Sequence, residues 1–138
     1  MNRSWPQTFA DLGFNVKART LTDLFVRAGK KLTQLQTRKI EGQSQKRIAL
    51  TAPTITDLFY QFLTELLFLK DRDRFLATEF QITIQSSKNH HQLQGRLKGG
   101  LLPQDPKAIL ADIKAITYHQ LTIKSTTSGW QARVVVDV

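Results

Sequence analysis

The stretch that decides the fold is the end of the chain, residues 114–138, with the sequence KAITYHQLTIKSTTSGWQARVVVDV. Two apolar runs rich in β-branched residues flank residues 125–129, Ser-Thr-Thr-Ser-Gly, a composition typical of the loop of a β-hairpin. The second run, residues 132–138, is almost continuously apolar. Because a strand that is apolar on both faces is buried on both, we expect this run to lie inside a sheet rather than at its edge.

The last strand ends in two negative charges, the Asp137 side chain and the carboxylate of the chain end. Burying anionic groups costs free energy unless a cation or hydrogen-bond donors meet them. We expect an antiparallel register in which Ile123 lies opposite Trp130. The same register places Ile116 opposite Asp137 and brings Lys114 level with the chain end. A salt-bridged strand end is one interpretation of this arrangement, and a cation site is the other.

Size and composition indicate one folded domain over residues 1–138, since 41% of the 138 residues are hydrophobic. The chain contains no cysteine, which excludes disulfides, iron–sulfur clusters and thiol chemistry. Its first residues lack the apolar core of a signal peptide, and its longest apolar run is too short to cross a bilayer. We therefore expect a cytoplasmic protein without a membrane partner.

The net charge of +9 is unevenly distributed along the chain. Residues 1–50 contain ten lysines and arginines against three acidic residues, whereas the remainder contains ten against eight. Such asymmetry suggests RNA as a partner, although a solvated basic surface explains it equally well, and no RNA-binding sequence signature accompanies it. The candidate RNA-facing residues are Arg27, Lys30, Lys31, Arg38, Lys39, Lys46 and Arg47.

The first half of the chain predicts a strand and a helix. Towards the end of residues 5–19, apolar and polar residues alternate, which predicts a half-buried strand. Residues 8–13 suggest a turn or bulge that aims Asp11 sideways. A capping box at residues 20–23 predicts a helix that ends near Gln36. Residues 37–45 are predicted to form a polar, basic loop.

The next segments predict a second strand, a longer helix and two further strands. A strand over residues 46–52 precedes another capping box at 54–57 and a helix with a wide apolar face. The helix carries Asp57 and Glu65, which lie eight residues apart and so near one face. The segments predicted after this helix are a charged turn at 70–74, a strand at 75–84, an edge strand at 89–98 and a loop that begins at Gly99.

Most catalytic and metal-binding motifs can be set aside. The three histidines lack metal-ligand spacing, and no nucleophile or general base can be nominated, so the chain is predicted not to be an enzyme. The remaining group is Asp11 with Asp137 and the carboxylate of Val138. Such hard oxygen ligands suit Ca²⁺ or Mg²⁺, but the sequence does not show that Asp11 reaches the last strand.

Four motifs, in the same order along the chain, resemble those of the archease family, the activators of the RNA-splicing ligase RtcB. TFADLG at 8–13 resembles the family's HTADxG opening, and LTDLF at 21–25 resembles its first helix. DLFYQFLTELLFL at 57–69 is similar to its long helix. KAITYH at 114–119 and GWQARVVVDV at 129–138 match its closing signature.

The resemblance implies an α+β fold in which two helices pack on a mixed or antiparallel sheet. It also implies a divalent cation, with Ca²⁺ expected and Mg²⁺ as the alternative, held by Asp11, Asp137 and Val138. Lys114 and Glu65 correspond to positions that act on the partner, an RtcB-type RNA ligase of tRNA splicing or RNA repair. The alternative function is a module that binds RNA or acts as a chaperone for a tRNA-modifying enzyme, such as a methyltransferase.

Overall fold

The computed structural model describes the backbone of residues 11–138 and the side chains from residue 12 onward. The elements in chain order are β1 (Asp11–Ala18), α1 (Leu21–Gln36), β2 (Glu41–Ala52), α2 (Ile55–Asp73), β3 (Phe75–Ser87), β4 (His90–Leu101), β5 (Ala115–Ile116), β6 (Thr122–Thr126) and β7 (Gly129–Asp137). Short 3-10 turns occur at Pro106–Ala108 and Tyr118–Gln120. Two helices and two antiparallel sheets form an α+β domain, which confirms the predicted fold class.

Strand β7 is the central strand of the first sheet, as predicted. It pairs with β1 along one side and with β5 and β6 along the other. Val134 and Val136 are fully buried against the helices, and Val135, on the opposite face, is only 5% exposed. Burial on both faces explains why this strand is a continuous run of apolar residues.

The hairpin between β6 and β7 is tighter than the sequence suggested. Thr126 pairs with Gly129, so two residues connect the strands rather than about five. As a result Ser125, and not Ile123, lies opposite Trp130. Gly129, the first residue of β7, has a φ of +149°, a conformation that favours glycine and lets the chain leave the turn into the strand.

Strands β5 and β6 do not share one register, because the 3-10 turn at residues 118–120 separates them. Ala115, and not Ile116, therefore lies opposite Asp137. Lys114 is nevertheless level with the chain end, since its backbone N–H donates to the Asp137 carbonyl oxygen over 2.8 Å.

Strand β4 is the central strand of the second sheet, whose order is β2-β4-β3, so the prediction of an edge strand at 89–98 was wrong. Its apolar content is low because one face of the sheet is exposed, and only Leu93 and Leu97 are buried on the other. Gly95 lies between these leucines, where a Cβ atom would collide with the Gln81 carbonyl oxygen. Gly99, predicted to begin a loop, lies within the strand.

Both helices begin at the predicted capping residues. Thr20 Oγ1 accepts a hydrogen bond from the Asp23 amide over 3.1 Å, and Thr54 Oγ1 accepts one from the Asp57 amide over 3.0 Å. Helix α1 ends at Gln36, as predicted. The strand after it begins at Glu41, so much of the loop predicted at 37–45 is paired strand.

The two helices pack against each other and against both sheets. Aromatic rings occupy the contact between them: the centroids of Phe25 and Phe59 are 4.9 Å apart in an edge-to-face arrangement. Gly29 lies in the middle of α1, facing the ring of Phe80 on β3. A Cβ atom at this position would lie 2.6 Å from that ring, which is too close. The glycine therefore allows helix and sheet to approach closely. None of the described helices is both long and apolar enough to span a membrane.

Two further boundaries differ from those predicted. Residues 70–73 are the last turn of α2 rather than a charged turn, and Arg74 ends the helix in the left-handed conformation with a φ of 58°. Asp11 and its neighbours continue the regular β1–β7 pairing, so no bulge occurs at residues 11–13. The rest of the predicted turn, residues 8–10, lies outside the described residues.

Lys70 connects three segments of the fold. Its side chain is 5% exposed, and Nζ donates to Gln36 Oε1 over 2.7 Å, to the Ile113 carbonyl over 2.7 Å and to Asp112 Oδ1 over 3.1 Å. Three donors on one ammonium thus meet three acceptors, which compensates the burial of the charge. The contacts join the ends of both helices to the segment that leads into β5.

We predict that Lys70→Met lowers the free energy of unfolding by about 2–3 kcal/mol, because it leaves the buried Gln36 and Ile113 acceptors unpaired. Urea denaturation measures the change. The matched control is Lys124→Met at an exposed position of β6, which should change stability by no more than about 0.5 kcal/mol. Equal stabilities for the two variants would contradict this role of Lys70.

Candidate functional site

The predicted site lies where β7 ends. Asp137 has a cross-strand partner on each side, Asp11 of β1 and Ala115 of β5. The backbone therefore brings the start of the first strand and the end of the last strand to one edge of the first sheet. The sequence suggested that Asp11 reaches the last strand but did not show it. The strand register places positions 11 and 137 directly opposite each other.

The Asp137 carboxylate is exposed, so the argument that its burial requires a cation does not apply. Thr117 Oγ1 donates a long hydrogen bond of 3.4 Å to its Oδ1. Thr117 is itself held by its backbone, whose N–H donates to the Val135 carbonyl over 2.8 Å. Val138, the next residue, is half-buried and packs against the core. The strand end is thus fixed by the backbone, while its acidic group faces solvent.

The Lys114 side chain is also exposed. Within the part of the chain whose side chains are described, no ion pair joins Lys114 to Asp137. Over the same side chains, no three histidine or acidic groups cluster closely enough to hold a metal ion. A simple salt bridge therefore does not account for the arrangement at the strand end.

Helix α2 runs beside the segment that contains Lys114. At one end Lys70 binds the Ile113 carbonyl, and at the other Tyr118 donates a hydrogen bond of 2.6 Å to Asp57 Oδ1. Glu65 is half-buried between these two ends, about 12 Å from Asp57 along the helix axis. Among the described side chains, no hydrogen bond links Glu65 to Lys114. Glu65 is five residues from both Tyr60 and Lys70, the α2 residues that contact this segment, which is about 140° around the helix axis, so it lies on another side of α2.

The basic residues predicted to face RNA are dispersed. Arg27 is exposed, and its Nη1 donates to the Lys17 carbonyl over 2.9 Å. Lys46 forms an ion pair of 2.8 Å with Asp73, so its charge is compensated. The exposed members along α1 and the turn after it are Lys30, Arg38 and Lys39, with Lys31 half-buried beside them, and Arg47 is exposed on β2.

The hydrogen bond from Tyr118 to Asp57 was not predicted from the sequence. The ring of Tyr118 also packs edge-to-face on Tyr60, with centroids 5.1 Å apart. Acceptance by the nearby carboxylate favours the protonated phenol and raises the pKa of Tyr118. The two contacts fix the turn after β5 on the first turns of α2. Sequence patterns could not reveal a pair separated by sixty-one residues.

Comparison with known proteins now identifies the family. The model of the Archease protein family (MTH1598/TM1083) matches residues 5–138. The chain belongs to the archease family. The match extends over the β1 strand, both helices and the closing strands, so it includes each element that forms the site.

Archaeal relatives match the chain over nearly its whole length. The archease of Methanosarcina mazei is 29% identical over 132 residues, which are 94% of this chain and 90% of the relative. The archease of Pyrococcus furiosus is also 29% identical, over 94% of this chain and 93% of its own.

Solved structures of the family share the fold. The solution structure of protein 1598 of Methanobacterium thermoautotrophicum has a TM-score of 0.80 and 26% sequence identity, and covers 94% of this chain and 93% of its own. The crystal structure of a Thermotoga maritima archease, described as a possible chaperone, has a TM-score of 0.63. At 16% identity over 100% of this chain and 98% of its own, it supports the fold alone.

We predict that the pKa of Tyr118 is higher in the protein with Asp57 than in the Asp57→Asn variant, because the carboxylate favours the protonated phenol. A Tyr60→Phe background leaves Tyr118 as the single tyrosine, since the chain has two. Alkaline titration of phenolate absorbance then reports its pKa with and without the acid. Because the pKa of Tyr118 is raised in the folded protein, its hydrogen bond to Asp57 contributes stability at pH values below the usual phenol pKa. That contribution is lost as the pH rises through the raised pKa. Identical titrations would refute the coupling.

Proposed function

We propose that this chain is a non-catalytic accessory protein that activates an RtcB-type RNA ligase in tRNA splicing or RNA repair. It would act in the cytoplasm, promoting guanylylation of the ligase and its multiple turnover. Membership of the archease family supports the proposal. The observation that carries it is the pairing of Asp11 with Asp137 at the exposed end of the first sheet.

The chemistry at this end fits a hard divalent cation. The Asp137 carboxylate and the Thr117 hydroxyl beside it are oxygen donors, and we propose the Val138 carboxylate as a third. Asp11 occupies the opposing position on β1. Oxygen donors of this kind suit Ca²⁺, which we expect, and Mg²⁺ as the alternative. When bound, the ion would compensate the acidic groups and supply a positive charge at the tip.

The arrangement supports action by contact rather than by bond chemistry. Asp137 and Lys114 are both exposed, and the backbone hydrogen bond between them fixes their relative position. Lys70 and Tyr118 secure the segment on either side to α2. A rigid charged surface of this kind can bind one conformation of a partner protein more tightly than another and so shift the partner's population towards that conformation. Glu65, half-buried on another side of α2, would be a separate contact with the partner.

We predict that Asp137→Asn lowers stimulation of a cognate RtcB-type ligase at least about ten-fold, because it removes one charged oxygen ligand and leaves the strand intact. A multiple-turnover ligation assay measures the effect. The matched control is Asp105→Asn, which removes an exposed carboxylate elsewhere and keeps the hydrogen bond to the Lys107 amide. Full stimulation by Asp137→Asn, or equal loss in both variants, would reject the proposal.

The second candidate is a chaperone or RNA-binding module for a tRNA-modifying enzyme. The exposed basic residues in the first half of the chain, Arg27, Lys30, Arg38, Lys39 and Arg47, favour this candidate because the first candidate does not use them. A chaperone role needs the partner surface but not the cation. Stimulation of a tRNA methyltransferase that is unchanged in Asp137→Asn would favour this candidate over the first.

A further inference from the structure

The second sheet presents a wide exposed face that the proposed function does not use. Its inner face buries Ile48, Ile82 and Leu97 against the helices. Residues alternate across a strand, so the intervening positions of all three strands project from the outer face. The outer positions of the sheet, strand by strand, are Gln45, Arg47, Ala49 and Thr51 on β2, Gln92, Gln94, Arg96 and Lys98 on β4, and Glu79, Gln81, Thr83 and Gln85 on β3.

Two arginines lie directly opposite each other at the centre of this face. Arg47 of β2 is the cross-strand partner of Arg96 of β4, and both are exposed. Like charges in opposed positions destabilise a sheet. Among the described residues, the basic groups in ion pairs are Lys46, Lys70 and Arg72, so neither central arginine has an ion-pair partner in that part of the chain. The pair is therefore available to an external anion.

The arginines line an open cavity of about 650 Å³. The polar side chains that line it with them are Gln81 and Thr83 of β3 and Gln94 of β4. Lys98 lies two residues beyond Arg96 on the same strand, about 7 Å away. Guanidinium groups bind phosphate oxygens through paired hydrogen bonds, and amides and hydroxyls add further donors. The cavity thus combines charge with donors suited to phosphate.

We propose that this face binds the phosphodiester backbone of single-stranded RNA without reading its sequence. The cavity lining contains no aromatic side chain on which a base could stack, which directs contacts to the backbone. The one large apolar residue of the lining, Ile48, is buried on the inner face, so the cavity offers no apolar anchor of the kind that forms the centre of most protein interfaces, which disfavours an acidic protein. Arg47, Arg96 and Lys98 are spread over two strands, and Glu79 lies opposite Lys98 on β3. Three cations against one carboxylate leave the face positively charged over an extended area, which suits the successive phosphates of a polymer better than a single anion.

The site differs from the basic residues along α1 and is independent of the acidic strand end. Lys107 and Lys124 are exposed, lie outside this sheet and carry the same total charge as the two arginines. They provide a matched comparison, because their loss changes net charge equally without altering the sheet. Ligase activation that fails while RNA binding persists would reject the proposed function and leave this inference standing.

The test measures binding of a fluorescein-labelled uridine dodecamer by fluorescence anisotropy over a range of salt concentrations. Relative to wild type, the double variant Arg47→Gln/Arg96→Gln should bind at least about ten-fold more weakly. The slope of log affinity against log salt should fall by about 1.4, since each lost phosphate contact removes about 0.7. Arg47→Lys/Arg96→Lys should retain most of that slope because it keeps both charges. Circular dichroism verifies that each variant is folded.

The control Lys107→Gln/Lys124→Gln should bind within about two-fold of wild type. Equal losses in the two glutamine variants would show diffuse charge attraction and overturn the proposal, as would unchanged binding by Arg47→Gln/Arg96→Gln. Inorganic phosphate at matched ionic strength should not displace the RNA, and displacement would indicate a site for one small anion. Displacement by a polyglutamate peptide as effectively as by unlabelled RNA would indicate a protein partner instead.

Discussion

The pairing of β7 with strands on both sides is the constraint on which the rest of the structure depends. It places β1 against one edge of β7 and β5 with β6 against the other, so the two ends of the described chain become neighbours. Burial of Val134 and Val136 against the helices drives this arrangement, because apolar area removed from water is the main favourable term in folding. An acidic strand end is then held in place by backbone hydrogen bonds.

Lys70 and Tyr118 connect the segment around β5, and so the first sheet, to α2. One secures the segment before β5 to the end of α2, and the other secures the turn after β5 to its start. The residues between them, which include Lys114, are consequently held alongside a single helix. A surface that activates a partner by biasing its conformation requires such rigidity, because a flexible tip would lose binding free energy to ordering.

The elements with strong local patterns could be predicted, and those set by long-range packing could not. The capping residues Thr20 and Thr54 mark the starts of both helices, and the apolar run before Asp137 indicates a central strand. The position of β4 was mispredicted because a sheet with one exposed face needs few apolar residues, and its glycines reflect close backbone contacts. The roles of Lys70 and Tyr118 depend on partners remote in sequence, which periodicity does not reveal.

The domain carries two surfaces of opposite charge, an acidic strand end on the first sheet and a basic face on the second. We propose that Asp11 and Asp137 together hold a hard cation at the strand end. The decisive measurement is a calorimetric titration of Ca²⁺ into the wild-type protein and into Asp11→Asn. We expect one bound Ca²⁺ for wild type and at least about ten-fold weaker binding for the variant. Absence of binding to wild type, or equal affinity for both proteins, would contradict it.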